Sequence, residues 1–334
     1  MNRKIFGVIA LLFTITIMTK AQPVPGIDEN IPYLMTFSNK VSTSWGDDNG
    51  LQVIFFAVPT EHSKPIYIRV FDPDCGGKHD EQNGNWDSKT RISIYGGVGA
   101  CSNKDAQRCN IDGDFDSGTQ LAQKVFGADA QYDDKWYTFG PFNPSEGELL
   151  PEFGGRIFKI TIEGLTGDDG NMYKLFLSSK TDDNIAVEGG FAFYFKYKFR
   201  LYDTADQISH IYPFIDKSVI SIKQSNFDWD SDGIIRVIST TKNGIPLKVS
   251  GDDEWVSSTL KIDDGERGTS WDIQMIKSKA KPLKNNNVVF YIENQYGELL
   301  PFYSVPIGGV PKYKYNITAK QAPKKGTPAP VKKK

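Results

Sequence analysis

One segment, Phe191 to Tyr202, constrains the fold most strongly because its side chains alternate in character. One face carries Phe191, Phe193, Phe195, Tyr197, Phe199 and Leu201, and the other carries Ala192, Tyr194, Lys196, Lys198 and Arg200. A repeat of two residues places alternate side chains on opposite faces of a β-strand. We therefore predict one strand here, with an apolar face and an increasingly basic face, at the end of a first domain.

Other short segments on both sides of this strand show the same preference for β-structure. Predicted strands before it are Leu51–Val58, Ile66–Phe71, Arg91–Tyr95, Arg156–Glu163 and Met172–Ser178. Predicted strands after it are Val219–Ile222, Ile234–Ser239, Trp255–Ile262, Ser270–Ile276 and Val288–Glu293. Dipeptides such as Asn243-Gly244 and Tyr296-Gly297 supply turns between them. The best helix candidate is Ser117–Val125, where Leu121 and Val125 lie one turn apart.

This pattern predicts an all-β protein of two β-sandwich domains. The first, residues 22–202, is expected to be C2-like or jelly-roll-like, and residues 203–209 form a linker. The second, residues 210–311, is expected to be immunoglobulin-like, because its short strands recur at regular spacing without long helices. A tail of residues 312–334, rich in lysine and proline, is predicted to be disordered.

The first residues have the pattern of a secretory signal peptide, residues 1–21. Basic Arg3 and Lys4 precede an apolar run from Ile5 to Met18, and the small residue Ala21 marks a cleavage point. The run is shorter than the roughly 20 residues that a spanning helix needs, which favours cleavage over retention as a membrane anchor. The sequence therefore predicts an exported protein.

Charge is distributed unevenly along the chain. Eight lysines and no acidic residue lie in the predicted tail, whereas the body between the signal and the tail has 28 basic residues against 41 acidic ones. An acidic body argues against nucleic-acid binding, which requires a basic face. The tail is either a solubilising end or an electrostatic arm for an acidic partner.

All three cysteines lie in a long acidic region from Phe71 to Gly118. In an oxidising compartment, the short polar loop between Cys101 and Cys109 favours a disulfide between them and leaves Cys75 free. A pairing of Cys75 with either of the others stays open, because sequence does not determine connectivity.

The same region contains candidate calcium ligands. Carboxylates are spaced closely enough to converge in a turning loop, and calcium takes six to eight oxygen ligands. The candidates are Asp72, Asp74, Asp80, Asp87, Asp112, Asp114 and Asp116. The alternative is that these residues form turns through local hydrogen bonds. A third set, Asp228-Trp-Asp230-Ser-Asp232, resembles the start of an EF-hand loop, but Ser239 stands at the twelfth position and favours a β-turn.

Catalytic signals are weak, and we predict that the protein is not an enzyme and has no catalytic residues. The chain has three histidines and lacks the HExxH, GxSxG and GxxxxGK[ST] motifs. Trp86 and Trp229 lie in polar loops and are predicted to be exposed. The pentapeptide Gly-Glu-Leu-Leu-Pro occurs twice, at 147–151 and at 297–301, which could mark equivalent turns.

Two segments carry a resemblance to known families. Ile66-Tyr-Ile-Arg-Val-Phe-Asp-Pro-Asp74 and 167–179 resemble the strand, acidic loop and strand of prepeptidase C-terminal-type and C2-like sandwiches. This resemblance implies an accessory, non-catalytic domain, often stabilised by calcium. Ala21-Gln22 at the predicted cut is similar to exported proteins of Bacteroidota. By size, architecture and compartment, the chain resembles the Plug subunits of the type 9 secretion translocon.

The resulting expectation is a non-enzymatic periplasmic subunit that binds another protein. Its partner would be an outer-membrane barrel complex for protein secretion, contacted through the acidic loops or the basic tail. A calcium-stabilised adhesive or glycan-binding module is the first alternative, and a carbohydrate-active hydrolase is the second. The sequence leaves the oligomeric state undetermined.

Overall fold

The structure is a computed structural model that describes residues 23–278 and 285–307. It is nearly all β, which confirms the predicted fold class, and every pairing between its strands is antiparallel. The predicted signal peptide and the predicted tail lie outside the described residues. Within them, no helix is long and apolar enough to span a bilayer.

In the part of the chain that the structure describes, the secondary structure consists of strands with one α-helix. The first strands are β1 (Pro23–Val24), β2 (Tyr33–Thr36), β3 (Leu51–Val58), β4 (Ile66–Phe71), β5 (Lys89–Gly96), β6 (Thr119–Phe126), β7 (Trp136–Phe142), β8 (Glu148–Leu150), β9 (Gly155–Thr166), β10 (Asn171–Ser178), β11 (Phe191–Tyr194) and β12 (Lys196–Arg200). The later strands are β13 (Ile208–Ile211), β14 (Phe214–Ile215), β15 (Ser221–Phe227), β16 (Gly233–Ile238), β17 (Asn243–Leu247), β18 (Trp255–Lys261), β19 (Thr269–Ser270), β20 (Asp272–Lys277), β21 (Asn287–Asn294) and β22 (Phe302–Tyr303). Helix α1 is Lys104–Arg108, and 3₁₀ turns are Ile27–Glu29, Thr43–Trp45, Pro144–Glu146, Pro151–Phe153 and Asp264–Glu266.

A nine-stranded sheet contains strands from both halves of the described chain. Its order is β18-β15-β21-β12-β2-β10-β4-β7, and β1 joins it by pairing with β10. A seven-stranded sheet, β22-β11-β3-β9-β5-β6 with β8 beside β9, packs on it at one end. A four-stranded sheet, β13-β20-β16-β17, packs on it at the other end. The two sandwiches therefore share one sheet and one continuous apolar core.

The predicted division into two domains stays a prediction, but the strand pairing bears on it. Strand β12, before the predicted linker, pairs with β21 over five residues from Lys196–Tyr291 to Arg200–Asn287. Because the sheet continues across the predicted boundary, the two halves share backbone hydrogen bonds as well as apolar contacts.

The predicted single strand from Phe191 to Tyr202 is in fact two strands in different sheets. Strand β11 pairs with β3 and β22, whereas β12 pairs with β2 and β21. Phe193 and Phe195 pack on the outer side of the seven-stranded sheet, but Tyr197 and Phe199 pack in the shared core. The alternation of side chains continues through both strands. The face that carries the aromatic residues nevertheless contacts different partners in β11 and in β12.

Two other sequence predictions were wrong. Ser117–Val125 is not a helix, because β6 occupies this segment and pairs with β5 at the edge of the seven-stranded sheet. Trp229 is fully buried in the shared core rather than exposed, because its loop folds under the four-stranded sheet. Cross-strand pairing overrode the one-turn spacing of Leu121 and Val125, and burial overrode the local polarity around Trp229.

Candidate functional site

The predicted disulfide between Cys101 and Cys109 is not formed, and all three cysteines are free and buried. Cys101 and Cys109 pack among apolar side chains such as Phe55 and Phe193 on the outer face of the seven-stranded sheet. Helix α1 lies between them and ends at Cys109, whose left-handed backbone caps it. Apolar burial therefore anchors this loop where a covalent link was expected.

Glu148 holds the start of the same loop. Its carboxylate accepts hydrogen bonds from the backbone N–H groups of Gly99, Cys101 and Ser102, at 2.9, 2.6 and 3.0 Å. The Ser102 hydroxyl donates to it as well, at 2.5 Å. These donors lower the pKa of Glu148 although burial opposes ionisation. Hydrogen bonds to a carboxylate from β8 thus hold this loop in place of the predicted disulfide.

The Asp112–Asp116 segment is organised by a lysine and by an aspartate that sequence reasoning missed. The three predicted ligands Asp112, Asp114 and Asp116 are exposed and do not form a metal-binding group within the described chain. Lys159 is fully buried beneath them. Its ammonium donates to the carbonyl oxygens of Phe115 and Ser117, at 2.6 Å each.

Asp105 completes this loop from the side. It accepts hydrogen bonds from Asn110 Nδ2 at 2.9 Å and from the Asp114 backbone N–H at 3.0 Å. The aspartates of this segment therefore fit the alternative reading, in which they form turns.

Of two more predicted ligands, Asp80 has hydrogen-bond partners and Asp87 lies in a further acidic group. Asp80 accepts from the Gly76 and Met172 backbone N–H groups, at 2.6 Å each. Asp87 lies near Asp168 and Asp169, and one carboxylate oxygen from each lies within 4.8 Å of the others. Asp169 is buried and accepts from the backbone of Asn83, Asp87 and Ser88.

The remaining predicted ligands, Asp72 and Asp74, converge with Asp133 just after β4. One carboxylate oxygen from each of the three lies within 4.8 Å of the others. Burial raises the pKa of Asp72 to about 6 and that of Asp74 to about 7, and the neighbouring Asp133 adds to both shifts. Asp133 was not predicted, although its Asp133-Asp134 pair in a loop was a signal that could have identified it.

The third candidate loop forms a similar cluster. Asp228 and Asp230, together with Asp252, bring one oxygen each within 4.8 Å of one another. Asp228 accepts from the Asp253 backbone N–H and from Asn285 Nδ2 at 3.4 Å. Asp228, Asp230 and Ser231 have positive φ, as expected for a tight turn.

A surface groove is lined by residues from both halves of the protein. Three adjoining cavities of about 320, 310 and 210 Å³ compose it, and Leu299 lines all three. Helix α1 forms one wall with Lys104, Gln107 and Arg108, and the turn after β21 forms the other. We refer to these three cavities together as the α1 groove.

Arg108 bridges the two walls. Its guanidinium donates to the Gly297 carbonyl oxygen at 2.5 Å and lies 3.6 Å from a carboxylate oxygen of Glu293. The two copies of Gly-Glu-Leu-Leu-Pro also meet in the groove, since Leu150 and Leu299 both line its largest cavity. Sequence analysis noted that repeat but could not predict that its copies would converge.

Exposed aromatic side chains flank the α1 groove. Tyr296 is 76% exposed at the turn, and Trp255 is 39% exposed at the other end. The ring of Trp255 lies 5.2 Å from that of Tyr291, and the Lys196 ammonium lies 5.9 Å from the Trp255 ring centre. The groove thus combines aromatic rings with charges of both signs.

Comparisons with known proteins add little to this picture. No protein-family model and no curated protein matches the chain. Among solved structures it is similar to N-glycanase F (PNGase F), with 8% identity over 82% of this chain and 95% of that chain, at a TM-score of 0.22. It is also similar to the CBM22-1–CBM22-2 tandem domain of Paenibacillus barcinonensis Xyn10C, with 9% identity over 83% and 97% of the two chains, at a TM-score of 0.17. Because both TM-scores are low, neither similarity supports a function.

Proposed function

We propose that this protein is a non-enzymatic, periplasmic protein-binding subunit that docks on an outer-membrane secretion translocon, in a Plug-like role. The α1 groove carries the docking part of this proposal. Protein interfaces are enriched in tyrosine, tryptophan and arginine, and the groove presents all three as Tyr296, Trp255 and Arg108. The translocon as partner rests on the resemblance drawn from the sequence.

The shape of the groove also favours a polypeptide partner. Its three cavities adjoin along α1 and are open to solvent, so an extended segment or a partner's loop could occupy them in sequence. Its walls come from the two halves of the chain and are joined by Arg108, which keeps the groove preformed. A preformed surface lowers the entropy lost on binding.

Affinity purification from native membranes tests this function. The protein should co-purify with a large outer-membrane barrel, and a Tyr296→Ala/Trp255→Ala variant should lose most of that barrel. Val125→Ala is the matched control, since Val125 is an exposed apolar residue on β6 that does not line the groove. Recovery of the protein alone, or equal recovery with both variants, would contradict the proposal.

A glycan-binding function is the second candidate, favoured by one part of the same groove. Trp255 and Tyr291 form an aromatic surface beside the polar side chains of Asp48, Arg108 and Glu293. An apolar surface with a few convergent polar groups is typical of small-ligand sites. A glycan array separates the two candidates, because binding that disappears in Trp255→Ala but persists in Tyr296→Ala would favour a sugar.

A further inference from the structure

Three carboxylates converge where the loop after β4 packs against the loop before β7. Backbone hydrogen bonds join the two loops, from Asp72 N to Lys135 O at 2.9 Å and from Cys75 N to Gly127 O at 3.3 Å. Asp72 and Asp74 belong to one loop and Asp133 to the other. The convergence of their oxygens is therefore fixed by backbone pairing.

Asp74 contributes a buried oxygen that has no protein partner. Its side chain is 0% exposed, and Oδ2 accepts from the Asp129 backbone N–H at 3.1 Å. Oδ1 is also buried but has no hydrogen-bond partner anywhere in residues 23–278 and 285–307. A buried carboxylate oxygen without a partner is costly, so a cation bound at this atom would remove that cost.

Two basic side chains lie beside this cluster, since Lys78 and His79 line the cavity that Asp72 and Asp133 line, and a His79 ring nitrogen lies within 4.8 Å of an Asp72 oxygen. Among the described residues, however, no basic side chain lies within ion-pair distance of Asp72, Asp74 or Asp133. By contrast, the buried Asp47 forms an ion pair with the buried Lys198.

The nearest basic groups are already engaged. Lys78 Nζ lies 2.7 Å from Asp134, and His79 Nε2 lies 2.6 Å from the same carboxylate. The other ring nitrogen of His79 hydrogen-bonds to the Tyr33 hydroxyl at 2.9 Å. Asp80, a further acid of this loop, is held by the Gly76 and Met172 backbone N–H groups.

We propose that Asp72, Asp74 and Asp133 bind a calcium ion, independently of the α1 groove. All three donors are oxygens, which suits a hard cation, and zinc would call for nitrogen or sulfur ligands. Asp72 and Asp133 line an open cavity of about 140 Å³ together with Lys78, His79 and Asp134, and this cavity has room for the waters that would complete the coordination. The ion joins the two loops and neutralises three converging negative charges.

Calorimetric titration of the purified, EDTA-treated protein with CaCl₂ tests the proposal, with melting temperature as a second readout. We expect a dissociation constant of about 10⁻⁴ to 10⁻³ M, the range of extracellular calcium modules, and a melting temperature that rises with calcium. Absence of both heat and a melting shift at about ten times that concentration overturns the proposal, because a ligand of the native state must stabilise it.

Two conservative variants identify the cluster. Asp133→Asn, at a half-buried position, should weaken calcium binding at least about tenfold. Asp168→Asn is the matched control from the Asp87, Asp168 and Asp169 cluster, and it should leave the affinity unchanged. Equal affinity in Asp133→Asn and the native protein, or loss only in Asp168→Asn, overturns the assignment.

Melting temperatures measured with MgCl₂ and with NaCl test whether the effect is specific to calcium. MgCl₂ at the same concentration should shift the melting temperature less, because magnesium demands a tighter octahedral site. An equal shift with NaCl of matched ionic strength would mean general screening and also overturns the proposal.

Discussion

The ammonium of Lys159 lies 2.6 Å from the carbonyl oxygen of Phe115, at the base of the loop that carries Asp112, Asp114 and Asp116. It also donates to Ser117 O at 2.6 Å and lies 4.7 Å from the Tyr95 ring centre. Burial lowers the pKa of Lys159 to about 8, and the loop carboxylates oppose that shift. A buried lysine thus holds a loop whose sequence is typical of a metal site.

Replacing this lysine should loosen the loop. Lys159→Met leaves the carbonyls of Phe115 and Ser117 without their donor, so we expect a loss of about 1–3 kcal/mol in the free energy of unfolding. Urea denaturation measures the loss, and hydrogen exchange should show faster exchange in residues 110–118. Lys89→Met, at an exposed position of β5, is the control and should change stability by less than about 0.5 kcal/mol. Equal stability of both variants would refute this role of Lys159.

Glu29 should make the protein less stable as pH rises. Burial raises the pKa of Glu29 from its ordinary 4.5 to about 8. The folded protein therefore keeps a proton between these pH values that the unfolded chain releases, and this stabilisation is lost as pH rises towards about 8.

A Glu29→Gln variant removes this dependence. It keeps the side-chain size and carries no titrating proton, so its free energy of unfolding should fall less between pH 5 and pH 8.5, by a difference on the order of a few kcal/mol. Denaturant titrations at both pH values measure it. Glu61→Gln, at an exposed position, is the control and should follow the native protein. The prediction fails if Glu29→Gln shows the same slope as that control.

The buried pair of Lys198 and Asp47 should be sensitive to loss of either partner. Both side chains are buried, and Asp47 also accepts from the Phe37 and Gly50 backbone N–H groups at 2.9 Å each. Lys198→Met leaves an uncompensated carboxylate and should cost about 3–5 kcal/mol. Adding Asp47→Asn should recover part of this loss in a double-mutant cycle measured by urea unfolding. Strict additivity of the two changes would show that the pair does not interact.

The three cysteines should behave as protected thiols. Because all are free and buried, Ellman's reagent should react slowly with the native protein and should titrate three thiols per chain after unfolding in guanidinium. The melting temperature should not change with dithiothreitol. A single reactive thiol in unfolded, non-reduced protein would instead establish a disulfide between two of them.

Strand positions were largely predictable from sequence, and the candidate sites only in part. Leu51–Val58 and Ile66–Phe71 form strands at their predicted bounds, because side-chain alternation and apolar runs are local properties. Asp72 and Asp74 were identified as candidate ligands, but Asp133 comes from a loop more than fifty residues away. Contacts over such separations depend on which strands pair, and no local pattern encodes that choice.

By itself, the sequence determined that this is an all-β protein, that its acids collect in loops after strands, and that Phe191–Arg200 alternates. Tertiary structure alone decided that the chain changes sheets at Phe195, that one sheet serves both halves, and that Lys159 contacts the base of the Asp112–Asp116 loop. The physical reason is that sequence periodicity determines which face of a strand a side chain lies on. The burial of side chains, the pairing of strands and the neutralisation of charged groups depend instead on partners distant in sequence.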